Sequence, residues 1–279
     1  SWILAQNELS IANGRFVWIN DAKPEQKLEL DKFNLLVRNE WRHHRLAIQA
    51  TPPAVLAAPI DLRLNLHQSL FAKKKLDLAS WSGEIYLDLK EADLPKLKNY
   101  VSLPFTLEKS VGALKAWLRL DGGHVADFTA DLALRDVLGR FRQDLPPLDM
   151  DYISGRVIAT ERVIKDYRYL PNILGQTGHS IAVENFSMQT RDGKILPSTS
   201  VRETYVPAHK DQAEKVELHA KLLDLQSIAN FAEHLPLPAD QRRLLIDVAP
   251  KGVLKDFTAR WQGSLPNVTN STIEGEFSG

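Results

Sequence analysis

The stretch LKAWLRLDGGHVADFTADLALRD (residues 114–136) decides the fold. It holds two runs in which apolar and polar residues alternate, with Leu118 in the first and Leu132 and Leu134 in the second. A period of two is the signature of a strand with one greasy and one wet face. Between the runs, Gly122-Gly123 supplies the positive φ of a tight hairpin.

The pattern spreads outward from there. IDLRLNLH puts Ile60, Leu62, Leu64 and Leu66 on one face and Asp61, Arg63, Asn65 and His67 on the other. EIYLDLK repeats it with Ile85, Leu87 and Leu89. Asn13-Gly14 and Asp192-Gly193 are further hairpin signals. About ten to twelve strands, mostly in antiparallel hairpins, are expected.

Helices are few. In ADLPKLKNYV, Asp93 can cap a helix over Asp93–Val101, and Pro95 fits because it falls in the first turn. LDLQSIANFAEHL repeats the design over Asp224–Leu235, and ADQRRLLIDV forms a third helix after Pro238.

The likeness of those two helix openings extends further. GALKAW (112–117) is echoed by GVLKDF (252–257), LELDKFNLLVRN (28–39) by IAVENFSMQTRD (181–192), and IANGRFV by ISGRVI. The four pairs keep one order, at intervals that differ as loop insertions would make them. STIEGEFSG at the end resembles the ISGRVI segment again. The expected organisation is therefore two β-groove repeat modules, 1–145 and 146–279, with a third repeat starting near 270–279. Ser1 opens what reads as mid-chain sequence, so an excised piece of a longer protein is expected.

Composition excludes several classes. Lys plus Arg and Asp plus Glu stand at 35 each, so no global field favours nucleic acid. Cysteine is absent, which removes disulfides and thiolate chemistry. There is no apolar run near the roughly 18 residues of a membrane span.

An apolar face this wide must be covered. Ten strands at about 4.8 Å spacing span roughly 48 Å, whereas a nine-residue helix about 13 Å long shields two or three of them. Exposed apolar patches rarely exceed a few hundred Å². The sheet can pair as a sandwich, close as a barrel, or curl into a trough filled by something apolar; the pattern alone puts the sandwich first.

The succession LSIANGRFVWIND, WSGEIYLDLKEADLPKLKNYV, GALKAWLRLDGG, ISGRVI and LPLPADQRRLLIDVAPKGVLKDF resembles the YhdP branch of the AsmA-like envelope proteins of Gram-negative bacteria. The resemblance covers essentially the whole chain. It implies a mostly β, elongated, curved antiparallel sheet forming an open apolar groove. It further implies a periplasmic lipid conduit that moves phospholipid between inner and outer membranes. Inner-membrane anchoring, and contact with both membranes, would come from segments outside these residues, and neighbouring repeats of the same chain would be partners.

The expected acyl-chain contacts are Leu62, Leu64, Leu66, Leu87, Leu89, Leu118, Leu132 and Leu134, continued by Val183, Leu218 and Phe257. No catalytic residue, metal or cofactor is expected. RNEWRHHR (38–45) contains adjacent His43 and His44, which on a strand point to opposite faces and cannot easily share a metal; a solvated turn is the simpler role. AKKKL (Lys73–Lys75) reads as an exposed turn. Asp149 and Asp151 share a strand face, yet nothing at suggestive spacing supplies a nucleophile or a His partner. Trp18, Trp81, Trp117 and Trp261 are expected in the core or lining the groove, with a carbohydrate platform as the other reading.

Overall fold

A computed structural model describes residues 5–20, 23–69, 80–97, 106–162, 178–209, 212–235, 237–263 and 268–279. It is mostly β. Thirteen strands run β1 (Glu8–Asn20), β2 (Lys23–Glu40), β3 (His43–Thr51), β4 (Ile60–Gln68), β5 (Trp81–Asp93), β6 (Thr106–Asp121), β7 (His124–Arg140), β8 (Leu148–Arg162), β9 (Gly178–Thr190), β10 (Ile195–Val206), β11 (Lys215–Asp224), β12 (Val253–Gln262) and β13 (Asn270–Ser278).

They belong to one sheet, hydrogen-bonded in chain order from β1 to β13. A linear order in a single sheet is neither the two-sheet sandwich that the alternation put first nor a closed ring. The strand number also exceeds the expected ten to twelve by one.

Two compact units divide the chain: Ser1–Tyr100 with Val111–Ala130, and Val101–Ser110 with Asp131–Gly279. In the first, β5 leads into α1 (Leu94–Leu97), where Asp93 Oδ1 accepts from the Lys96 amide at 3.4 Å. The remainder of the expected Asp93–Val101 helix falls outside the described residues, as does Lys73–Lys75. In the second, β11 leads into α2 (Leu225–Asn230), capped by Asp224 through the Ser227 amide at 2.7 Å. The expected Asp224–Leu235 helix breaks at Phe231, with φ −100° and ψ 0°, and resumes as a 3-10 turn at Ala232–His234. The break sends the Phe231 ring into a closed cluster of Val137, Leu148, Met150 and Met188. The third expected helix is α3 (Ala239–Val248).

Gly122-Gly123 and the Asp192-Gly193 turn join hairpins as expected, but Asn13-Gly14 does not. Asn13 takes φ 51° inside the unbroken β1, and the register to β2 shifts on both sides of Gly14. This is a bulge. A bulge and a tight turn both need a residue at positive φ, so the dipeptide alone cannot separate them.

Of the four repeated phrases, one pair opens Asp-capped helices, GALKAW lies on β6, and GVLKDF enters β12 at Val253. Phe33 and Phe186 each meet a glycine on the preceding strand: Gly14 pairs with Phe33, and Gly155 packs on Phe186.

Candidate functional site: the apolar sheet faces

Register places side chains in rows across each unit. In the first unit one row runs Ile11, Leu35, Ile48, Leu62, Leu87, Ala116, from β1 to β6. The next runs Leu9, Val37, Leu46, Leu64, Ile85, Leu118. Leu89 pairs with Ile60, and Leu66 with Gly83. The expected contacts Leu62, Leu64, Leu66, Leu87, Leu89 and Leu118 therefore share one face. Most of these side chains are half-buried, neither sealed nor fully wet.

Toward one end the face closes over. Leu30, Phe33 and Ala50 form a buried cluster with Ile48 and Ile60 packed against it.

In the second unit Val157, Val183, Val201, Ala220 and Phe257 form a row from β8 to β12. Leu218 sits in the neighbouring row, Ala159, Ile181, Glu203, Leu218, Ala259, Ile273. The expected Val183, Leu218 and Phe257 thus share a face. Leu132 and Leu134 lie two apart on β7, and Leu134 packs on the closed cluster under Phe231.

Glu203 was missed in the sequence, although it is in phase with Val201 and Tyr205 along β10. Its Oε2 lies 3.2 Å from His179 Nε2, and the His179 ring packs on Tyr205 at 5.3 Å between centroids. The next row is Glu161, His179, Tyr205, Val216, Trp261. Here the apolar face carries a polar station.

The opposite faces are charged. Arg63 grips Asp61 through two hydrogen bonds of 3.0 and 2.7 Å, which hold the Asp61 carboxyl below its ordinary range. Arg119 pairs with Asp127, Arg156 with Asp131 at 2.6 Å, and Arg260 with Glu217 at 3.2 Å. Trp117 belongs to this side: its row is Arg63, Tyr86, Trp117, so it does not line the apolar face beside Leu118. Trp81, by contrast, is buried against His44.

The polar clusters have local explanations. His43 is exposed beside His67, whereas His44 turns to the other face, its Nδ1 2.7 Å from Asn39 Oδ1. Asp149 and Asp151 share the Arg191 guanidinium, whose Nε lies 3.3 and 3.9 Å from them; its Nη2 holds Asp136 at 3.2 Å. The three acids serve as its counter-charge. Among the described residues no group of three or more His, Asp or Glu is arranged to hold a metal ion, and no helix is long and apolar enough to cross a membrane.

A family model described as YhdP protein matches residues 1–279. No curated protein and no solved structure matches the chain.

Proposed function

Because the chain belongs to the YhdP protein family over its full matched length, we propose that it is a lipid-conduit segment of the Gram-negative envelope, its apolar sheet faces holding phospholipid acyl chains. The family points to a lipid-transport-related envelope protein. The observation that carries the finer reading is the pair of apolar rows, each from β1 to β6, backed by a charged face. Acyl chains suit such a surface because contact with it removes methylenes from water, at about 0.8 kcal/mol each. Headgroups remain in water, so no deep polar pocket is required. In this reading the segment works in the periplasm, anchoring to the inner membrane and contact with the outer membrane lie elsewhere in the protein, and tandem repeats extend the track. Phospholipid moves along the rows between the membranes.

A photo-crosslinking residue tests this at position 87 on the apolar face, with position 86 as the control on the charged face. Phospholipid captured at 87 and not at 86, with lipid co-purifying in native mass spectra, is the expected result. Equal capture at both positions, or none at 87, would overturn the reading in favour of a structural β-repeat.

A further inference from the structure

We propose that the charged face of the first unit carries a binding site for a neutral glycan strand, built on Tyr86 and Trp117. These rings are cross-strand neighbours on β5 and β6, with centroids 5.5 Å apart and planes tilted by 47°. Trp117 is 38 % exposed on a face that is otherwise mostly polar or charged. The ring is on the side away from Leu118, so its aromatic contact there, with Tyr86, leaves part of the indole facing water at a cost in apolar exposure.

Around the rings lies a shallow depression of about 320 Å³, lined on this face by Arg63, Asn65, Glu84, Arg119, Asp127 and Thr129. That volume is at the small end of ligand sites. The Arg63 guanidinium stands 5.9 Å from the Tyr86 ring centre and is already held by Asp61, while Arg119 is held by Asp127. Both cations are thereby committed and Glu84 adds a further acid. Within the depression, a phosphate, a nucleic acid or an acidic headgroup would meet two arginines that already hold carboxylates. A neutral sugar chain fits what remains. Its C–H faces lie on the rings, and its paired hydroxyls meet the planar carboxylate, amide and guanidinium edges set one strand apart. The rings and the apolar rows are on opposite sides of one sheet, so a glycolipid with its tails on Leu87 and Leu118 could not also lay its sugar on Trp117. The occupant is therefore a free glycan strand.

The test titrates the 279-residue chain with a β-1,4-linked N-acetylglucosamine tetramer, following Trp fluorescence and saturation transfer from sugar protons to aromatic resonances. Saturable binding with Kd on the order of 1 mM is expected, weakened at least tenfold in Trp117→Ala and Tyr86→Ala and unchanged by phospholipid preloading. Should Trp117→Ala fail to fold, the transfer experiment on the unmodified chain decides: transfer to Tyr and Trp resonances upholds the site. Absence of saturable binding, competition by phospholipid, or stronger binding of a sulfated glycan than of the neutral one would overturn it.

Discussion

His179 Nε2 faces Glu203 Oε2 at 3.2 Å, and Glu203 stands in a row whose other members are Ala159, Ile181, Leu218, Ala259 and Ile273. His179 Nδ1 is buried and makes no hydrogen bond among the described residues. A carboxylate in such a row keeps its water, and water in the path of an acyl chain is costly to strip. Glu203→Leu should therefore raise phospholipid crosslinking from position 218 about two-fold or more. Because Glu203 is half-exposed, stability should move by less than about 1 kcal/mol. Unchanged crosslinking in a folded variant would mean that the track does not pass Glu203.

The closed cluster should behave as an ordinary core. Phe231 is 1 % exposed among Val137, Leu148, Met150 and Met188. Phe231→Ala should cost about 3–5 kcal/mol in urea unfolding. A loss under about 1 kcal/mol would show that α2 does not seal this end.

Backbone approach makes a sharper case at Gly155. Its φ is +143°, and a Cβ there would meet Phe186 Cα at 2.7 Å. Gly193 has φ +87° with nothing near its Cβ position. Gly155→Ala should cost about 2 kcal/mol or more, and Gly193→Ala about 1 kcal/mol. Equal thermal shifts would remove the packing argument.

The bulges also explain how far the sequence could be read. Alternation located the strands and put Leu62, Leu64, Leu66, Leu87, Leu89 and Leu118 on one face, because no bulge interrupts those segments. Residues at positive φ, such as Lys32 and Asp136, change the phase within a strand. Beyond Asp136 the inward residue of β7 is Val137, which alternation from Leu132 and Leu134 would place outside. Trp117 was misplaced by size rather than by phase: its parity with Lys115 and Arg119 set it on the charged side. Glu203 escaped because one acid in phase between Val201 and Tyr205 leaves the hydrophobic pattern of β10 nearly intact.

The Asp61–Arg63 pair sets a pH window. The folded pKa of Asp61 is lowered, chiefly by its hydrogen bonds to Arg63. Its stabilisation is present above the ordinary carboxylate range and is lost as pH falls through the lowered value. On an exposed pair the effect is below about 1 kcal/mol. Asp61→Asn should flatten the acid limb of a Tm–pH curve by that amount and leave Tm at pH 7 within a few degrees. A variant whose acid limb matches the parent would show that the pair contributes nothing.

Leu87, Leu132 and Leu134 separate an open face from a closed one. Leu87 is half-buried between Leu62 and Ala116 in an apolar row. Leu134 packs on the cluster sealed by Phe231, while Leu132 is half-buried one pleat away. A charge on a lipid-bearing face can reach water when the face is empty, so folding tolerates it; the acyl chain does not, since it must pass a solvated group. Leu87→Asp and Leu132→Arg should therefore lose much less than the 2–5 kcal/mol typical of a core truncation and still abolish phospholipid crosslinking. Leu134→Arg sets its charge against the cluster sealed by Phe231, and should unfold the second unit instead. Circular dichroism melts of the three variants, set beside crosslinking in the full-length protein, decide the matter. Unfolding by all three would make the whole face a core and leave no surface for lipid.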